Sequence, residues 1–152
     1  MMTHEIWMEQ AFREAEKAYE KNEVPVGAVV VVHERLIGRG YNLVESLQDP
    51  TAHAEIIAIT AAANSQASWR LNDAVLYVTK EPCPMCAGAI YLSRISHVVY
   101  GVSDGKMGAC GSAMNVLQNP KLFSKVEMTS GILEPQSRKI LQDFFKNARE
   151  RN

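Results

Sequence analysis

The order of hydrophobic and polar residues predicts a chain of helices and strands. A first amphipathic helix, ending near residue 22, is predicted by apolar residues at helical spacing: Met8, Phe12, Ala15 and Tyr19. Two apolar runs, residues 26–33 and 36–40, are joined by a short polar turn, which predicts an antiparallel hairpin. Asn42 follows directly after this hairpin.

The middle of the chain alternates helical patterns with short apolar runs. These patterns predict helices from residue 53 to about 64 and from residue 84 to about 94, with strands over residues 75–79 and 97–101. Strands that alternate with helices are usually parallel neighbours in a sheet that is covered on both faces. We therefore expect an α/β fold with a mixed sheet between two layers of helices.

A last helix is predicted from about Pro135. Its apolar residues form pairs four positions apart, Ile140 with Phe144 and Leu141 with Phe145. Stacking of either phenylalanine on nucleic acid is an alternative, but the helical spacing favours packing in the core.

Two short motifs supply the ligands of a catalytic zinc site. They are His53-Ala54-Glu55 and, further along the chain, Pro82-Cys83-Pro84-Met85-Cys86. A catalytic Zn²⁺ takes three protein ligands and keeps its fourth position for water. His53, Cys83 and Cys86 complete that set and predict one zinc ion per chain, which leaves the Glu55 carboxylate free to move protons. The pattern is typical of zinc-dependent nucleobase deaminases.

Each half of this pattern has a simpler explanation when it is taken alone. A Cys-x-x-Cys pair can be half of a structural zinc site or a redox dithiol. Pro84 suits the first position of a helix, so Cys83 becomes the cap and Cys86 lies over the same turn, where the helix dipole stabilises thiolates. A redox pair would use the same effect, but it would not explain His53 and Glu55.

His53 and Glu55 also have ordinary alternatives, a structural histidine and a solvated helix face. Positions two apart point to nearly opposite sides of a regular helix, so these side chains can share one site only at a helix start. Asp49 or Thr51, before the apolar stretch at 56–59, is a suitable residue to begin that helix. The joint pattern of four residues favours the catalytic interpretation.

Length and composition limit the organisation of the protein. A chain of 152 residues with 47% hydrophobic residues predicts one domain over residues 1–152. The longest apolar run, residues 26–32, is too short for a membrane, and the N-terminus shows no secretory pattern. Of the three cysteines, Cys110 is left without a partner, which favours a reducing cytoplasm.

The motifs and their surroundings resemble the bacterial tRNA-specific adenosine deaminases, which convert the wobble adenosine of an anticodon to inosine. The resemblance extends almost from end to end. It is found in the stretches 23–29, 49–55, 68–71, 76–79, 86–90 and 101–112. The last stretch resembles the family's loop beside the flipped nucleotide.

The resemblance implies a three-layer α/β/α fold of the cytidine deaminase type, with a mixed and mostly five-stranded sheet. It implies zinc chemistry in which Glu55 moves protons during attack on C6 of adenine. It also implies a tRNA anticodon stem-loop as partner, and a homodimer. The residues for which it implies contacts to the target nucleotide are Gly27, Asn42, Ala54, Asp104 and Lys106.

The sequence leaves alternatives open for these contacts, and those of Asn42, Asp104 and Lys106 rest on the resemblance alone. An asparagine after a strand, as at Asn42, is commonly a turn residue. Gly27 can let the backbone approach a base closely, although a glycine in a strand is often only a bulge or a packing gap.

The chain departs from the family pattern at two places. Phe123-Ser124 stand where the family usually has an Asn-His pair, and Gln136-Ser137 stand where it commonly has Glu-Cys.

The net charge of -1 and the pI of about 6.4 give little support for RNA binding. Residues 121–152, however, carry seven basic and four acidic side chains.

This local excess of positive charge suggests contacts between RNA phosphates and Arg149 and Arg151, near the end of the last helix. A solvated helix face explains the same charges.

Two other functions compete with a tRNA deaminase. A deaminase of the same fold acting on a free base or nucleoside, such as guanine or cytosine, is supported by Phe123-Ser124. A non-catalytic module stabilised by zinc is the third possibility, and Glu55 argues against it because a structural site has no use for an unligated acid.

Overall fold

The computed structural model describes residues 2–151 and contains every element that the periodic pattern predicts. The pattern does not predict the one-turn helix α2 or the short strand β5. The helices are α1 (His4–Glu20), α2 (Val44–Leu47), α3 (Ala54–Gln66), α4 (Pro84–Leu92) and α5 (Glu134–Arg151). The strands are β1 (Gly27–Val32), β2 (Arg35–Tyr41), β3 (Ala74–Lys80), β4 (His97–Val102) and β5 (Glu127–Thr129).

The strands form one sheet in the order β2-β1-β3-β4-β5, which confirms the predicted mixed sheet of five strands. β1 is antiparallel to both β2 and β3, whereas β3, β4 and β5 run parallel. Lys80 at the end of β3 pairs with Val102 at the end of β4. The segments that follow these two strands therefore leave the sheet side by side, at the edge where α/β proteins usually bind ligands.

Helices cover both faces of the sheet, as predicted. In β1, Ala28 and Val30 point towards the core under α3 and α4, while Val29 and Val31 point towards α1. This alternation follows from the two-residue period of a strand, and here it makes both faces of β1 apolar. α5 packs beside α1 and against β4, which completes a three-layer arrangement.

Gly27 allows α1 to lie unusually close to β1. A Cβ atom at this position would be 2.1 Å from the carbonyl oxygen of Ala11 and 2.3 Å from the backbone nitrogen of Ala15. The packing alternative therefore explains the glycine at position 27, and its contact to the target nucleotide stays a prediction. The close approach is between two elements of the protein, and no larger side chain fits there.

The aromatic residues of α5 are less buried than the sequence predicts. Phe145 is 44% exposed, and Phe144 is half-buried with its ring edge-to-face on Tyr19 at 6.3 Å. Among the described residues of α5, only Ser137 is buried. The prediction of core packing is wrong for Phe145, because α5 is an outer helix that contacts the protein along one narrow side.

No helix within residues 2–151 combines the length and the apolar character needed to cross a bilayer.

Candidate active site

A cavity of about 360 Å³ opens where the C-terminal edge of β3 meets the first turns of α3 and α4. Its lining residues are Glu23, Val24, Val26, Asn42, Val44, Glu45, His53, Ala54, Glu55, Lys80, Glu81, Cys83, Asp104 and Met107. The cavity therefore brings together both predicted zinc motifs.

His53 and Glu55 reach one cavity because α3 begins between them. His53 is the N-cap residue, with extended backbone (φ −76°, ψ 153°), and Ala54 is the first helical residue. The side chain of His53 does not cap the helix, so it is free to face the cavity. The predicted helix start is confirmed, but the cap is His53 and not Asp49 or Thr51, which hydrogen-bond to each other in the preceding turn.

Cys83 and Cys86 occupy the positions that the proline pattern predicts. Cys83 is the N-cap residue of α4, Pro84 occupies the first turn and Cys86 is buried one turn further on. Proline is well suited to this first turn because its missing N–H has no partner there in any helix. Both sulfur atoms therefore lie at the N-terminal, electropositive end of a helix.

The three donor atoms of this His-Cys-Cys group fit a tetrahedral metal ion. The Nδ1 atom of His53 lies 3.6 Å from Sγ of Cys83 and 3.5 Å from Sγ of Cys86, and all three donors are within 4.8 Å of one another. Zinc–sulfur bonds of about 2.3 Å and zinc–nitrogen bonds of about 2.0–2.1 Å at a tetrahedral angle separate S and N by about 3.6 Å. The group can thus bind a metal through three ligands.

Protonation at the site is governed by short contacts and burial. A hydrogen bond from Cys86 holds the pKa of the Cys83 thiol at about 4. The pKa of Cys86, which donates that bond, is raised by the same hydrogen bond and by burial. The pKa of Glu55 is raised to about 6 because its carboxyl is buried.

Three of the other predicted substrate contacts line the cavity. Ala54 does so from the first turn of α3. Asn42 is nearly buried; its Nδ2 donates to the carbonyl of Val24 and its Oδ1 accepts from the N–H of Val44, both at 3.3 Å. Asn42 thus stabilises a turn, as expected for an asparagine after a strand, and its side chain also lines the cavity.

Asp104 lines the cavity from the segment after β4. Partial burial would raise its pKa, but backbone N–H donors and Lys80, whose Nζ lies 3.2 Å away, hold the pKa below its usual value. Lys106 is exposed and is not among the lining residues. Its contact to a nucleotide stays a prediction.

The predicted RNA contacts on α5 also lie outside the cavity lining. Arg149 and Arg151 are both exposed, and Nη1 of Arg151 donates to Oδ1 of Asn22 at 2.9 Å. Their contact to RNA stays a prediction.

Comparison with known proteins places this site in a family. Residues 2–149 match the family of MafB19-like deaminases. The chain is 46% identical over 151 residues to a tRNA-specific adenosine deaminase of Bacillus subtilis, with 99% of this chain and 94% of the relative covered. The chain belongs to the tRNA-specific adenosine deaminase family. The resemblance seen in the sequence is thereby confirmed.

Solved structures agree with membership of the tRNA-specific adenosine deaminase family. A structure from work on A-to-I editing by tRNA:A34 deaminases superposes with a TM-score of 0.86 at 43% identity, covering 90% of this chain and 99% of that one. A guanine deaminase from Bacillus subtilis is 39% identical, with a TM-score of 0.64 and about two thirds of each chain covered (67% and 66%). The tRNA:A34 deaminase structure therefore matches far more of the chain.

Sequence analysis of this deaminase misses two buried carboxylates in the cavity wall. Glu81 accepts hydrogen bonds from the N–H groups of Asp104 (3.0 Å), Cys110 (2.9 Å) and Ser112 (3.2 Å), and from the Ser112 hydroxyl. These donors belong to the β4 loop (residues 103–112), which places Asp104 and Met107 in the cavity wall. Glu81 therefore fixes one side of the cavity.

Glu23 fixes the opposite side in the same way. It is fully buried and accepts from the N–H groups of Glu45 (3.0 Å) and Ser46 (2.6 Å), and from the Ser46 hydroxyl (2.6 Å). These hydrogen bonds hold the pKa of Glu23 below its usual value although burial alone would raise it. The one sequence signal for both glutamates is an acid directly before an apolar or proline-containing segment, Val24-Pro25 or Pro82-Cys83.

Replacing either carboxylate by its amide should loosen only its own side of the cavity. In Glu81→Gln, an NH₂ group faces N–H donors, so at least one donor loses its acceptor at a cost of about 1–3 kcal/mol in the free energy of unfolding. We expect faster amide hydrogen exchange at Asp104, Cys110 and Ser112, with Glu45 and Ser46 still protected.

Glu23→Gln is the matched control. It should show faster amide exchange at Glu45 and Ser46, with Asp104, Cys110 and Ser112 still protected. Faster exchange on both sides of the cavity in both variants would mean that each glutamate acts on general stability instead of on one segment.

Proposed function

We propose that this chain is a zinc-dependent deaminase that converts the wobble adenosine of a tRNA anticodon to inosine. The observation that supports it most is the arrangement of three metal-binding donors beside a buried carboxyl that is not needed as a ligand. Three ligands leave a fourth position open, which distinguishes catalytic from structural zinc sites. Relatives named tRNA-specific adenosine deaminase indicate the substrate.

The chemistry follows from the positions of His53, Cys83, Cys86 and Glu55. The first three would hold one zinc ion, which when bound lowers the pKa of a water molecule towards about 7. Glu55 accepts the two protons of the attacking water in turn and passes one to the purine ring nitrogen and one to the amino group, which leaves as ammonia. A buried carboxyl with a pKa of about 6 is suited to both directions of transfer near neutral pH.

The cavity has room for one nucleoside and not for a folded RNA. Its volume, about 360 Å³, is near the lower end of the range of about 300–1,000 Å³ for small-molecule sites. The target nucleotide must therefore be flipped out, which costs little for a base in a loop. We propose Asn42, Ala54 and Asp104 as its contacts in the cavity, with Lys106 at the exposed end of the β4 loop.

Deamination of a free base such as guanine is the second candidate. It is favoured by the 39% identity to a guanine deaminase and by Phe123-Ser124, where the family usually has Asn-His. It is disfavoured because that match covers only 67% of the chain.

The substrate decides between the two candidates. We expect an anticodon stem-loop with adenosine at the wobble position to yield inosine and one equivalent of ammonia, and free adenosine, cytidine and guanine to react hardly at all. The same stem-loop with cytidine at the wobble position is the matched control and should release no ammonia. Faster turnover of free guanine or cytosine would overturn the proposal in favour of the second candidate.

We further propose that the chain acts as one deaminase domain, in the cytoplasm, and as a homodimer. Helix α4 contains no charged residue and the only one in α3, Glu55, is buried, so the outer faces of both helices carry no charge. Leu92 is 65% exposed and Met85 is 37% exposed on this side of the protein. A second copy of the chain would cover such a surface. Sedimentation of the purified protein as a monomer would contradict the dimer.

A further inference from the structure

Arginine and aromatic side chains alternate along one exposed surface near the end of α4. The guanidinium of Arg70 lies 4.3 Å from the ring centre of Trp69. The guanidinium of Arg94 lies between two rings, 5.5 Å from Trp69 and 4.5 Å from Phe123. The ring of Tyr91 follows at 5.2 Å from Phe123. These five residues are called the Arg–aromatic cluster below.

The Arg–aromatic cluster is open to solvent. Trp69 is 53% exposed and Phe123 is 69% exposed, although both are large hydrophobic residues. The backbone N–H of Phe123 donates to the Tyr91 hydroxyl at 3.2 Å, and its ring packs on the Tyr91 ring. The rings are thus held in place with part of their surface uncovered.

The positive charges of the cluster have no acidic partner. Within residues 2–151, neither Arg70 nor Arg94 forms an ion pair with a carboxylate. Lys121 and Lys125, both exposed, flank Phe123 and add to the same sign of charge. In a chain whose net charge is -1, this is a local concentration of positive charge beside exposed rings.

We propose that the Arg–aromatic cluster binds the RNA substrate outside the catalytic cavity. Bases of an RNA loop stack on aromatic rings and on guanidinium planes, and phosphates pair with arginine. The inference rests on the proposed function, because it assigns a second contact surface to the same RNA.

Charge complementarity favours RNA over a second copy of this chain as the occupant. In a two-fold dimer whose axis passed through the cluster, Arg70 and Arg94 would lie close to their own equivalents. Like charges in such a contact oppose binding, whereas phosphates neutralise them.

The test measures binding of the anticodon stem-loop over a range of salt concentrations. In Arg70→Ala/Arg94→Ala we expect at least ten-fold weaker binding, and a log-log salt dependence that is smaller by about one unit per lost phosphate contact. In Phe123→Ala we expect about ten-fold weaker binding with an unchanged salt dependence, because a stacking surface is removed without a charge. Zinc content should equal that of the wild type in all variants.

Arg13→Ala/Arg35→Ala is the matched control, because it removes the same charge from two exposed positions outside the cluster. It should weaken binding less than the Arg70/Arg94 pair. Equal losses of affinity and of salt dependence for both pairs would overturn the proposal, since general charge would then explain the effect. Unchanged RNA affinity in the Arg–aromatic variants would overturn it as well.

Sedimentation at the assay concentration tests the remaining explanation, that the cluster is a contact between two copies of the chain. If the Arg–aromatic variants become monomeric and bind RNA as the wild type does, the cluster is a contact between copies and the proposal is wrong. Failure of the proposed function is distinct, because wild-type protein would then release no inosine from the stem-loop whatever its RNA affinity.

Discussion

Replacement of Glu55 by alanine is expected to lower the rate of deamination by about 100-fold or more, the usual contribution of general acid–base catalysis. Glu55 is 4% exposed in the cavity wall, beside three donors that complete a metal site without it. Its loss should therefore remove the proton carrier and leave zinc content unchanged. The rate of inosine formation, with metal analysis of the same sample, checks both expectations.

Two further variants show whether the effect is catalytic. Glu55→Gln keeps the shape of the side chain but cannot accept a proton, so it should be about as inactive as the alanine variant. Glu14→Gln changes another buried glutamate, which pairs with Lys17 and Arg39 and does not line the cavity, and it should keep activity. Near-normal turnover in Glu55→Gln would refute the assignment of proton transfer to this residue.

The metal-binding part of the site follows from local sequence. Pro84 limits where α4 can begin, and this places Cys83 at the cap and Cys86 one turn later. His53 and Glu55 face the same cavity because α3 starts between them. Alternation of strands and helices then brings both helix starts to one edge of the sheet. The recognised motif predicts the four residues, and proline position and periodicity predict the helix starts and a mixed α/β sheet, whereas the five-stranded deaminase-type fold is what the family resemblance implies.

The polar contacts that shape the cavity do not follow from sequence. Glu81 binds N–H groups 23 to 31 positions later in the chain, and Glu23 binds N–H groups 22 and 23 positions later. Periodicity shows which face of an element is buried, but not which distant donor meets a buried acid. The Arg–aromatic cluster does not follow from sequence for the same reason, since Trp69, Arg94 and Phe123 come from three separate segments.

Exposure of the last helix is the clearest error of the pattern. Pairs of apolar residues at helical spacing predict a buried face, but they do not show how much protein lies opposite that face. α5 contacts β4 and α1 at the outside of the molecule, so Phe145 is left 44% exposed. The apolar pattern correctly predicts the helix but overestimates how much of it is buried.

Removal of zinc is expected to abolish activity and to lower stability. The donors of His53, Cys83 and Cys86 join the starts of α3 and α4, and a metal that binds only the folded chain adds to its free energy of unfolding. When free zinc is 1,000-fold above its dissociation constant, the bound metal adds about 4 kcal/mol to the free energy of unfolding. Its removal should therefore lower the Tm by about 10 °C for a domain of this size.

Elemental analysis should give one zinc per chain. Cys86→Ala should lose most of the metal and the activity, and its Tm should fall by the same amount as that of the wild type on removal of zinc. Chelation of the wild type should reproduce that loss, and added zinc should reverse it in the wild type but not in Cys86→Ala. Cys110→Ala is the matched control: Cys110 is equally a buried cysteine but lies outside the three-donor group, so its replacement should leave zinc and turnover intact. A folded wild-type protein that is free of zinc and still forms inosine at the full rate would contradict the metal site.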